Sequence, residues 1–231
     1  MAQAGRWDRR RLWAGLGLLA LLWLLSLGFV DYSLRFGLEG LGLGGVRETH
    51  LHAAGAGVSN ALMFLHMVTG AGLTVLAPMQ LVPAVRRRWP RLHRGMGRAV
   101  AGLAVVTALA GLGFIVLRGT VGGAMMDAAF AGYGLCLLVA AAMAVRAARA
   151  GEFARHRDWA VRLFVLAIGS FLYRLHYALW FMATGGVASE PDFTGAFDIV
   201  TMWAFYVPYL IGVEVWLRWR RPPAPVPVGA G

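Results

Sequence analysis

Six long apolar runs, at about 12–30, 58–83, 94–118, 122–147, 158–183 and 198–218, limit what this chain can fold into more than any other feature. Each approaches or exceeds the ~20 residues that an α-helix needs to cross about 30 Å of hydrocarbon. In lipid every backbone N–H and C=O must find a partner inside the protein, so only helices and closed β-barrels can span. Barrel strands read as ~10-residue stretches of alternating polarity, and these runs do not alternate. The pattern therefore predicts an all-α, polytopic membrane protein, a bundle of six transmembrane helices. Composition agrees: 14% of residues are charged, where soluble domains carry about 25%. The first run follows the basic segment "RWDRRR", as a signal peptide would. Its apolar stretch from Leu12 to Val30 exceeds the ~7–15 residues of such a segment's core, and no A-x-A-like cleavage site follows. It reads as a retained helix.

Arginine distribution sets the expected orientation. Lysine is absent, and 18 of the 22 arginines fall in four segments that must share one side of a six-span bundle. These are the N-terminus (Arg6, Arg9, Arg10, Arg11), the loop around Trp89, the stretch from Arg146 to Arg162, and the C-terminal end. Cationic loops stay cytoplasmic, so both termini are expected inside, in a bacterial inner (cytoplasmic) membrane. The expected outer loops carry Asp31, Glu39, Glu48, Glu190, Asp192 and Asp198. A formal charge of +11 would suit nucleic acid in another context, but here the arginines serve topology and lipid phosphates. The organisation read from this is a cytoplasmic segment 1–11, a transmembrane domain 12–221 with one outer loop at about 31–57, and a flexible Pro-rich tail 222–231. The lone Cys136 rules out an internal disulfide framework and reads as a small core residue.

Ionisable side chains at membrane depth mark functional sites by default, and few are present: His66, Asp127, Arg174, His176 and Glu214, with Gln80 as a further intramembrane polar group. His66 and His176 each lie about 17 residues from the expected inner boundary of antiparallel spans, roughly 26 Å up. Helical spacing puts His66 on one face with Gly70, Leu73, Ala77 and Gln80, and His176 on one face with Leu172, Gly169 and Arg162. A glycine beside each imidazole offers room for a flat ligand, so the pair suits a bis-histidine haem b held between helices. Arg174 is placed to meet a propionate.

At the opposite boundary, His93 in "RLHRGMGR" and His156 in "RHRDWAVR" form a second candidate pair. Two stacked haems would give a route for transmembrane electron transfer. That plan resembles the cytochrome b ascorbate-dependent reductases, which pair histidines on four central helices. The fourth span, "VGGAMMDAAFAGYGLCLLVAAAMAV", has no histidine, so no residue roles are transferred from them.

Plainer roles exist for each residue. An intramembrane histidine can simply hydrogen-bond the next helix, and boundary histidines beside arginine meet headgroups or carbonyls. His50 and His52 in "THLH" could hold Zn or Cu if extended, since alternate residues of a strand point the same way, or form an ordinary loop. Asp127 is expected to pair with Arg118 or Arg174, and Glu214 with the closing arginines of the last span. The aromatics in "YALWFMA" and "MWAFYVPY" read as an interfacial belt.

The ordered motifs "HMVTGAGLTVLAPMQLVPAVRRRWPRLHRGMGR", "RHRDWAVRLFVLAIGSFLYRL" and "VPYLIGVEVW" resemble a bacterial membrane-protein family of unknown function, number 2306 (DUF2306), over about residues 58–218. The pattern maps onto His66, Gln80, His93, Arg94, Gly97, Arg98, His156, Arg157, Trp159, Arg162, Arg174 and Glu214. His176 is not part of it. The resemblance thus implies that His66, His93 and His156 matter more.

Three functions fit. The first is an electron-transfer protein binding haem b through paired histidines and exchanging electrons with quinone or a partner, since no nucleotide-binding motif is present. The second is a structural subunit of a larger membrane complex. The third is a binding or transport module in which His93, Arg94, Arg98, His156, Arg157 and Arg162 cradle an anionic lipid or isoprenoid headgroup, because arginine's planar fork suits phosphate.

Overall fold

The computed structural model describes residues 4–43 and 51–220, and among these every regular element is helical. The first, α1, is Ala4–Leu38, ending in a π-helical turn Glu39–Leu43. Next come α2 (Gly57–Met79), the short α3 (Pro83–Arg88), α4 (Pro90–Arg118) and α5 (Gly123–Arg149). The chain closes with α6 (Phe153–Ala167), α7 (Gly169–Thr184), α8 (Ala196–Ala204) and α9 (Val207–Arg220). Five helical spans are long and apolar enough to cross a membrane, and a sixth forms if α6 and α7 count as one span bent by 43°.

The arginines of α3, of the first turns of α4 and α6, and of the last turns of α5 and α9 gather at one end of the bundle. His50 and the tail 222–231 lie outside the described residues. The loop expected at 31–57 is shorter than composition suggested, because α1 continues past Val30. An Arg35–Asp31 pair at 2.8 Å supports the added turns. Phe36 meets the edge of Phe64 on α2, with ring centroids 5.6 Å apart.

Two expected spans are broken, for different reasons. In the last one Pro208 has no N–H, and its ring clashes with the carbonyl four residues back, so α8 stops at Ala204. Between α6 and α7 there is no proline. There the Tyr133 ring fills the space beside Gly169, where a Cβ would sit 2.8 Å from Tyr133 Cε2. The Tyr133 hydroxyl donates to the Leu166 carbonyl at 2.5 Å, and Thr74 Oγ1 lies 3.4 Å from the Ala167 carbonyl. A bend frees carbonyls that lipid cannot satisfy. Side chains of α5 and α2 meet that need.

The core is built for close approach. Ala104, Ala108, Ala140, Ala141 and Ala144 let α4 and α5 pack tightly, as membrane helices do in the absence of a hydrophobic drive. Around the two breaks the fill is aromatic: Phe205 lies 4.9 Å from Tyr133 and 5.3 Å from both Phe130 and Tyr173. At the end away from the arginines, Asp198 is buried rather than a loop surface charge. It accepts from Tyr177 Oη (2.6 Å), Ser189 Oγ (2.8 Å) and the backbone N–H groups of Glu190 (2.8 Å) and Gly195 (3.1 Å), and so ties down the turn between α7 and α8.

Adding one methyl group tests the bend. Gly169→Ala should cost about 1–3 kcal/mol through overpacking against Tyr133, seen as a lower Tm in detergent by tryptophan fluorescence. Gly102→Ala, whose Cβ would meet nothing within 4 Å, should leave Tm unchanged or slightly raised.

Candidate functional site

The far half of the bundle does not assemble the first candidate pair. His66 Nδ1 lies 2.8 Å from the Thr107 carbonyl of α4, and its ring packs against Gly111. His176 instead bonds Tyr209 of α9 through Nε2 at 2.9 Å and stacks on that ring. The two imidazoles thus serve different helices. The glycine faces read as room for a flat ligand are also occupied: a Cβ at Gly70 would touch Thr107 at 3.5 Å, and Gly169 is covered by Tyr133. Arg174 lays its guanidinium over Phe29, 4.8 Å from the centroid, and donates to the Ser170 carbonyl at 3.3 Å.

One expected ion pair is replaced. Asp127 Oδ1 accepts the Thr120 backbone N–H at 2.6 Å, so it organises the turn between α4 and α5 instead of pairing with Arg118 or Arg174. Arg118 donates to the Leu51 carbonyl and to Asn60 Oδ1. Glu214 also reaches across to another helix. It takes a bidentate grip from Arg162 of α6, with Nε–Oε1 at 2.5 Å and Nη2–Oε2 at 2.9 Å. Trp159 stacks under that guanidinium at 4.6 Å. Arg162 is largely buried, so the planar fork, the carboxylate and the indole hold one another where a lone charge would be costly.

The arginine-rich end does bring candidate residues together. His93 sits in the first turn of α4 and His156 in the first turn of α6, so each enters its helix at the same level. His156, Arg86 and Arg94 all act electrostatically on His93. His156 Nδ1 lies 2.9 Å from the Ala144 carbonyl, which leaves Nε2 as its available nitrogen. The His93 ring makes no hydrogen bond among the described residues, and its Nδ1 is buried. Gln80, at the end of α2, likewise has a buried Nε2 without a partner. Its Oε1 would lie 3.4 Å from a Cβ at Gly97, one turn above His93, so the absent side chain at Gly97 makes space for the amide. Arg94, Arg98 and Arg157 are exposed around this cluster. The sequence singled out all of these residues. It missed the carbonyls of Thr107 and Ala144 and the hydroxyl of Tyr209, because backbone acceptors and a helix-to-helix tyrosine leave no local pattern. His52 packs near the Phe64 ring, 6.4 Å between centroids. Among the described residues no group of three or more His, Cys, Asp or Glu side chains is arranged to hold a metal ion.

The model of a family described as predicted membrane protein, DUF2306, matches residues 63–217, more than half of the chain. The protein belongs to the DUF2306 family. The matched region opens just before His66 and closes just after Glu214, so it contains both the Gln80–His93–His156 cluster and the Arg162–Glu214 pair. No curated protein and no solved structure matches the chain.

The Arg162–Glu214 pair is the sharpest test of this region. Arg162→Ala and Glu214→Ala should each lower Tm by leaving a partner charge uncompensated. The double variant should recover part of the loss, with a coupling of about 1–3 kcal/mol in a double-mutant cycle. Additive losses would mean that the pair carries no energy.

Proposed function

We propose that this DUF2306 protein is a membrane electron carrier whose redox group is a haem b held by His93 and His156. What supports the reading is that these two imidazoles, entering two different helices at one level, lie within each other's field. Among the described residues three of their four ring nitrogens make no hydrogen bond. Two imidazoles are an axial ligand set suited to b-type haem. The Ala144 carbonyl fixes the His156 ring with Nε2 outward, the outer contact typical of ligating histidines. Arg86 and Arg94 suit the propionates, and the Gln80 Nε2 offers a further donor. When bound, the haem supplies one-electron chemistry. The chain's own residues bind and orient it, and their positive field favours its acidic groups. Electrons then come from a quinol, which leaves as quinone, or from a partner protein, and on this reading the arginine-rich end faces the cytoplasm across a bacterial inner membrane.

Absorbance spectra of the protein purified in mild detergent, oxidised and then dithionite-reduced, test this together with a pyridine haemochrome assay. The expected result is one haem per chain and a sharp reduced α-band that is lost in His93→Ala and His156→Ala but kept in His66→Ala. A colourless but folded protein made with ample haem overturns the reading. So does a band that survives both substitutions.

A second reading rests on a different observation. The buried Gln80 Nε2, and His93 Nδ1 when it carries the proton, also suit phosphate oxygens, and a surface hollow of about 700 Å³ at the start of α4 is lined by Arg88, Trp89, Arg91 and Arg94. On that reading the cluster holds an anionic lipid headgroup. Colourless protein whose bound phosphate is lost in Gln80→Ala would favour it.

A further inference from the structure

A second feature of the arginine-rich end lies outside this cluster. Between α4 and α5 runs a groove of about 390 Å³ walled by Ala101 and Val105 on one side and Ala141, Ala142 and Val145 on the other. Its lower end is closed by Arg146 and Arg149. Small side chains alone would make only a packing seam, but here the seam stays open and ends on charge. Neither arginine has a carboxylate partner among the described residues. On α4, Arg94, Arg98, Ala101 and Val105 follow one another at three- and four-residue spacing, so the apolar wall continues downward into two more exposed cations. The same holds on α5, where Ala142, Val145, Arg146 and Arg149 share a face. The acid nearest in sequence, Glu152, is already engaged with Arg155.

We propose that the α4–α5 groove is a binding site for one anionic phospholipid, with its phosphate on Arg146 and Arg149 and one acyl chain against Ala101, Val105, Ala142 and Val145. An apolar trough of one or two turns takes a hydrocarbon chain, and uncompensated cations at its headgroup end select negative charge. Basic pockets between membrane helices recognise anionic headgroups in this way. Arginine's fork adds bidentate contacts to phosphate that a diffuse surface field does not give. The inference does not rest on haem: neither His93 nor His156 lines the groove.

The test uses the full chain reconstituted in nanodiscs of mixed phosphatidylcholine and phosphatidylglycerol, followed by release into mild detergent and native mass spectrometry. Wild type should retain one phosphatidylglycerol in preference to phosphatidylcholine. Arg146→Gln with Arg149→Gln should weaken retention about fivefold for each arginine. Ala142→Trp fills the trough at an exposed position while keeping both arginines, and should also lose the lipid, which separates acyl-chain seating from simple phosphate attraction. Equal retention of the two lipids overturns the proposal, as does wild-type retention in either the double arginine variant or Ala142→Trp.

Discussion

The bond from the Tyr133 hydroxyl to the Leu166 carbonyl is the contact on which the middle of the bundle turns. A helix bent inside hydrocarbon leaves carbonyls with no water to accept from, at a cost of several kcal/mol each. Tyr133 meets one of them and also fills the space over Gly169, so the bend and its remedy come from the same side chain. The consequences spread through contacts. The 43° change of direction separates the course of α7 from that of α6. Phe171 and Leu172 of α7 then pack with Leu22 and Phe29 of α1. His176 meets α9, while α6 keeps its first turn and His156 against α5. The same ring contacts Phe205 and Tyr206, which brings the second broken span into register with the first.

Charge divides the molecule along the other axis. The end rich in arginine has exposed cations in excess, and the opposite end has carboxylates committed to local order. Asp198 spends four hydrogen bonds on one turn, and Asp127 holds the N–H of Thr120. Deeper in, single charges are handled one at a time. Arg174 lies on Phe29, and Arg162 is held between Glu214 and Trp159. No common relay of acids or bases links the two ends through the described residues, so the two ends act as separate chemical environments.

Legibility from sequence followed the range of the interactions. Long apolar runs and the arginine count are summed over many residues, so the helical membrane fold and the grouping of basic segments were plain. The break at Pro208 has a local cause, since proline stops a helix by sterics, yet the apolar run 198–218 was read as one unbroken span. The break at Gly169 was not, because its cause is a tyrosine 36 positions away. Equal depth and a shared face suggested that His66 and His176 could meet, but neither says toward which neighbour a face is turned. Thr107 and Tyr133 settle that by filling Gly70 and Gly169. Glu214 was matched by nearness in sequence to the arginines that close the last span, and its bond to Arg162, on another helix, left no local signal.

The Gln80–His93 cluster differs in kind from every other polar group discussed. A buried donor left without an acceptor costs about 1–3 kcal/mol. Elsewhere the fold avoids that cost even where it must bend a helix to do so, as Leu166, Ala167 and Asp198 show. Two such unpartnered nitrogens at one end, next to a histidine whose ring is pinned so that one nitrogen stays available, run against that pattern. A group that binds there and accepts from them would remove the cost, and would add stability in proportion to its own occupancy. Ligand binding and folding are then coupled at this end of the bundle. At the far end His66 and His176 already have protein partners, so the same coupling is not built there.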